Sequence, residues 1–83
     1  MKRTAPTLPK NIVGETIKKL RKAKKGPTVS QQDLSGRLAA LGVTIDRSAI
    51  ARIEHGERYV LDYEAVAIAR ALRVPLDCLF GRK

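Results

Sequence analysis

Apolar residues recur along this 83-residue chain at the spacing of one buried helical face, and nowhere alternate long enough to argue a strand. Val13, Ile17 and Leu20 fall at i, i+4 and i+7, with Asn11 ahead of them as a helix N-cap. That first helix is expected to stop near Gly26-Pro27, where Gly accepts a left-handed end position and Pro cannot continue the ladder. Ser30-Gln31-Gln32-Asp33 reads as a capping box with Asp in place of the usual Glu. It opens a second helix, about residues 31–41, in which Leu34, Leu38 and Leu41 repeat the spacing before Gly42. Val43-Thr44-Ile45 is a short β-branched connector, and Asp46 caps a third helix over about 47–55, with Ile50 and Ile53 inward and Gly56 at its end. Asp62 caps a fourth helix with Ala65, Ile68, Ala69 and Leu72 inward, and Pro75 opens a short fifth that ends near Phe80. The pattern predicts an all-α fold, a compact five-helix domain over residues 11–83, preceded by a flexible basic arm over 1–10 that contains Pro6 and Pro9.

Size bounds what such a chain can do. A domain this small buries only about 60% of its unfolded surface, so the core is modest. Cys78 is the sole cysteine, which excludes a disulfide scaffold. The longest apolar run, Leu38 to Val43, is far short of the roughly 20 residues a membrane-spanning helix needs. The N-terminus has charge but no apolar segment of signal-peptide type, so the expected location is cytoplasmic. With one histidine, one cysteine and no metal-ligand spacing, no enzyme activity, metal or cofactor is expected. Only four residues follow Leu79, so no appended effector domain is expected either.

Charge adds a partner class. Lys and Arg number 17 against 8 acids, a net +9, and residues 1–28 hold nine bases against one acid, Glu15. Such concentration raises the local density of polyanions, with nucleic acid the commonest and an anionic membrane the rival. Three aromatics (Tyr59, Tyr63, Phe80) make no stacking platform for single-stranded RNA. The basic first helix lacks the Trp or Phe that membrane-surface helices place at their apolar edge, so its apolar stripe is read as core and no membrane partner is expected.

The second and third predicted helices form a candidate helix-turn-helix, a motif whose second helix enters the DNA major groove. On the outer face of the third helix stand Arg47, Ser48, Ala51 and Arg52. Arginine can present a fork to guanine, serine can donate or accept at base edges, and alanine permits close approach. Two arginines on a solvated face would look the same, so the motif alone does not decide.

Three segments together are more specific. Ser30-Gln31-Gln32-Asp33-Leu34-Ser35, then the run from Arg47 through Ile53-Glu54-His55-Gly56-Glu57-Arg58, then Ala67 through Ala71-Leu72-Arg73-Val74 to Leu79-Phe80 resemble the phage-repressor, Xre/Cro-type helix-turn-helix family over about residues 11–80. The resemblance implies a five-helix domain that binds double-stranded DNA, usually as a homodimer, and regulates transcription as a repressor. It implies base contacts from Arg47, Ser48 and Arg52, and phosphate contacts from Gln31, His55 and Arg58. It also implies that Glu54, awkward beside inward Ile53, is paired with Arg21 on the first helix. The chain departs from the family in a longer connector over Ala39–Ile45, read as a rebuilt turn after an extended second helix. It departs again in a longer Lys24–Val29 segment, read as a basic loop whose Lys25 meets phosphate. Dimerisation is assigned to apolar surface on the last two helices, Leu76 and Phe80. The alternative is an antitoxin or an adaptor holding another protein, since the same fold serves both. If the arm meets phosphates through Lys2, Arg3 and Lys10, removing residues 1–10 weakens duplex binding on every sequence and flattens its salt dependence. A salt titration of both forms checks this.

Overall fold

The computed structural model describes residues 10–22 and 28–80, which form five helices and, among the described residues, no strand. They are α1 (Gly14–Arg21), α2 (Gln31–Ala40), α3 (Arg47–Glu54), α4 (Asp62–Leu72) and α5 (Leu76–Leu79). The fold is all-α. Helix α2 packs against α3 and α4, α1 sits on α3 and α5, and α4 packs against α5. Ile17, Leu34, Leu38, Ile50, Ile53, Ile68 and Leu79 are fully buried where these helices meet. The alanines of α4 (Ala65, Ala67, Ala69, Ala71) allow close approach on both sides of that helix.

Helix α1 is shorter than its pattern predicts at both ends. Asn11 does cap it, but from three residues upstream: its Oδ1 accepts from the backbone N–H of Val13 and Gly14, so helical geometry begins only at Gly14. At the other end the Arg21 carbonyl accepts from Val29 N–H (3.0 Å) while Arg21 Nη1 donates back to the Val29 carbonyl (2.9 Å). The returning chain terminates the helix at Arg21, ahead of the expected stop at Gly26-Pro27, which lies outside the described residues. Lys10 belongs to the domain rather than to an arm. Its N–H donates to the Gly56 carbonyl and its ammonium stands 5.6 Å from the Tyr59 ring centroid.

The other ends sit within a residue of expectation. Ser30 and Asp33 form the reciprocal capping box on α2, and Asp46 Oδ1 accepts from Ala49 N–H to cap α3. Gly42, at φ 85°, ends α2 with Val43 N–H reaching back to the Leu38 carbonyl, which leaves Leu41 outside the helix and 42% exposed rather than in the core. The rebuilt turn is thus a left-handed glycine followed by an extended run whose Ile45 is buried. Asp62 is the first residue of α4 rather than its cap; Glu64 accepts from Leu61 N–H in that role. Pro75 precedes α5 instead of opening it. Helix α4 ends on Arg73 in the left-handed region at φ 61°, without the glycine usual there.

Two glycines make opposite demands. A Cβ on Gly14 would overlap the Ile53 carbonyl oxygen, so α1 and α3 touch backbone to backbone. A Cβ on Gly36, inside α2, would meet nothing. One substitution therefore has opposite signs. Gly36→Ala is expected to stabilise by about 0.5–1 kcal/mol through helix propensity. Gly14→Ala is expected to destabilise by about 1–3 kcal/mol as α1 is forced off α3. Urea unfolding midpoints of the two variants check the pair.

Candidate nucleic-acid interface

Helix α3 divides cleanly. At about 100° per residue, Arg47, Ala51, His55, Ser48 and Arg52 fall in one arc, and Ala49, Ile53, Ile50 and Glu54 in the other. Ile50 and Ile53 are 1% exposed and fix the helix from behind. Arg47, Ser48, Arg52 and His55 are exposed, and no described residue holds either arginine in an ion pair or side-chain hydrogen bond. The candidate base-reading side chains are thus displayed together, without a side-chain partner among the described residues.

What orients α3 is a three-helix junction at its last turn. Arg21 grips Glu54 with both edges of its fork, Nε to Oε2 at 2.7 Å and Nη2 to Oε1 at 3.0 Å. Gln31 Nε2, at the start of α2, donates to the same Oε1 at 3.0 Å. The two charged side chains are 6% and 3% exposed. Burial alone would push the Glu54 carboxyl up. Hydrogen bonds from Arg21 and Gln31, with the charges of Arg21 and Lys18, outweigh it and hold the group below its ordinary value.

The residues expected on phosphates are distributed differently. Gln31 turns inward onto Glu54, as described. Arg58 donates to both oxygens of Glu64, at 3.1 and 3.3 Å, and to the Tyr59 carbonyl, while its side chain stays 29% exposed. His55 remains exposed at the end of α3. Lys25 lies outside the described residues. The start of α2, a natural anion site by its free N–H groups, carries the Asp33 carboxylate instead, which opposes a phosphate there.

Three contributions are not evident in the sequence. Glu64 is the buried partner of Arg58, and its signal is an acid three residues after Leu61, where a helix start welcomes one. Burial would raise the Glu64 carboxyl; hydrogen bonds from Arg58 and Leu61 N–H, with the Arg58 charge, lower it. Asn11 does more than cap α1: its amide donates to the carbonyls of Ile53 (3.0 Å) and Arg58 (2.9 Å), stitching the chain before α1 to the end of α3. Arg37 donates from α2 to the Ala71 carbonyl near the end of α4, and no local pattern announces it.

Among the described residues no group of three His, Cys, Asp or Glu side chains is placed to hold a metal ion, and no helix is long and apolar enough to cross a membrane. No family model, no curated protein and no solved structure matches the chain.

Both buried carboxylates are held below their ordinary value, so their contribution to stability is complete above the unfolded-state pKa of about 4.3 and is lost as pH falls through the lowered folded values. Thermal stability is expected to stay level from neutrality to about pH 5 and to drop in more acid solution. Glu54→Gln, which leaves the Arg21 charge buried without a counter-ion, is expected to cost roughly 3–5 kcal/mol at pH 7 and to blunt the acid drop. Calorimetry across the pH range measures both.

Proposed function

We propose that the chain is a sequence-specific, double-stranded-DNA-binding transcriptional regulator of the helix-turn-helix kind, a repressor by its resemblance to the Xre/Cro-type family. In this reading α2, the Leu41–Asp46 connector and α3 are the motif, and α3 lies in the major groove with Arg47, Ser48 and Arg52 at base edges. The observation that carries the reading is the outer arc of α3. It displays two unpaired arginines and a serine around half-buried Ala51, and it is backed by two fully buried isoleucines and pinned at its end by Arg21 and Gln31. The net charge of +9 supplies the sequence-independent attraction that such recognition is built upon.

A homodimer on DNA is part of the proposal, with half-sites about 34 Å, one helical turn, apart. Leu76 and Phe80, 41% and 44% exposed around α5, are the apolar surface assigned to it. The second reading, an antitoxin or adaptor bound to another protein, draws on a different patch. Leu41, Tyr63 and Val66 are exposed around a depression between the α2–α3 connector and α4.

Selection of bound duplexes from a random pool at fixed salt tests the proposal. A recovered palindrome is expected, and recovery of nothing above background moves the chain to the adaptor reading. On the recovered site, Arg47→Ala or Arg52→Ala is expected to cost roughly 1–3 kcal/mol and to relax preference at one base pair each. Equal affinity and unchanged preference in both variants would remove α3 as the reader.

A further inference from the structure

Gln31 and Arg58, two of the residues assigned to phosphates, are engaged by Glu54 and Glu64, and both helix starts nearest the proposed reader carry acids, Asp33 on α2 and Asp46 on α3. A helix in the major groove nonetheless lies between two phosphate strands, and protein–DNA affinity rests largely on neutralising them. Exposed lysines stand in a groove of about 980 Å³ between α1 and the C-terminal end of α3.

The groove follows from the helix contact already described. Gly14 meets α3 backbone to backbone and Arg21 grips Glu54, so this side of α1 faces α3. Lys18 lies one turn beyond Gly14, and Lys22 one turn beyond Lys18, along the same edge. Both line the groove, with Lys19 beside them and His55 and Gly56 on the opposite wall. Two acids border it as well. Glu54 is neutralised by Arg21, and Glu15 is the single exposed carboxylate. No carboxylate of the described residues lies within ion-pair distance of Lys18, Lys19 or Lys22. His55 belongs at once to the groove and to the outer arc of α3, so the two surfaces are continuous.

We propose that this groove seats the phosphodiester strand flanking the major groove occupied by α3, with Lys18 and Lys22 as its principal phosphate contacts. The inference rests on the duplex-binding reading of α3. It assigns to α1 the task of holding the backbone, while the end of α3 sets the distance between base reading and phosphate anchoring.

The test uses the full chain, a short random-sequence duplex and a salt titration. Removing two phosphate contacts is expected to reduce the magnitude of the slope of log K against log salt by about 2. Lys18→Gln/Lys22→Gln is the groove variant. Arg70→Gln/Arg73→Asn removes the same charge from α4 and its end, away from the groove, and is expected to shift the slope by less than about half a unit. Circular dichroism melts establish that both variants fold, and duplex selection with the groove variant is expected to return the wild-type preference. An unchanged slope in the groove variant, or an equal change in the α4 variant, overturns the proposal while leaving α3 as the reader. A wild-type chain that binds no duplex overturns both. If the groove variant instead loses co-sedimentation with phosphatidylserine-containing vesicles and keeps the duplex slope, the groove serves a membrane surface and the proposal falls.

Discussion

The arrangement depends on one buried carboxylate. Glu54 sits at the last turn of α3, where its burial is costly unless it is paired. Arg21 from α1 and Gln31 from α2 both meet it, so three helices are referenced to one pair of oxygen atoms. Hydrophobic packing by Ile50 and Ile53 gives α3 its stability but little directional preference, since burial of apolar area is non-directional. Charged hydrogen bonds at defined angles fix its roll and tilt. The outward display of Arg47, Ser48 and Arg52 is the mirror image of that inward constraint.

The same logic organises charge elsewhere. Each of the two buried acids, Glu54 and Glu64, is matched by an arginine, and no buried side-chain nitrogen or oxygen among the described residues lacks a partner. Exposed acids at helix starts, Asp33, Asp46 and Asp62, accept from backbone N–H groups. Five of the eight carboxylates thus pair with arginines or accept at helix starts. The surplus of positive charge is left on exposed surfaces, including the α1 edge beside α3.

Much of this was legible in the residues. Helical spacing located the first four helices of the described residues, because a domain with so small a core must set its apolar residues on single faces, and Pro75 marked the fifth. The capping residues Ser30 and Asp46 placed two helix starts, since side-chain oxygens at those positions satisfy N–H groups the helix cannot. The resemblance implied the Arg21–Glu54 pair, which periodicity does not supply. Illegible were the contacts made at long sequence distance. The ladder of α1 ends where Val29 comes back to it, and nothing local to Arg21 encodes that return. Gln31 looked free because its acceptor lies 23 residues on, in another helix. Leu41 kept the apolar spacing of α2 but fell outside the helix once Gly42 turned the chain.

The seat of α1 has a kinetic side. Its partners lie far along the chain: Arg21 and Glu54 are 33 residues apart, and Asn11 is 42 from Ile53 and 47 from Arg58. Among the later helices α2 and α3, and α4 and α5, are neighbours along the chain, whereas α2 meets α4 across a comparable distance, Arg37 lying 34 residues from Ala71. Loop-closure entropy therefore favours the α2–α3 and α4–α5 pairs first, and α1 is seated only once the end of α3 exists to receive it. Until then Val13 and Ile17 have no cover, so the interval before α1 docks is when a nascent chain is most exposed to association with its neighbours.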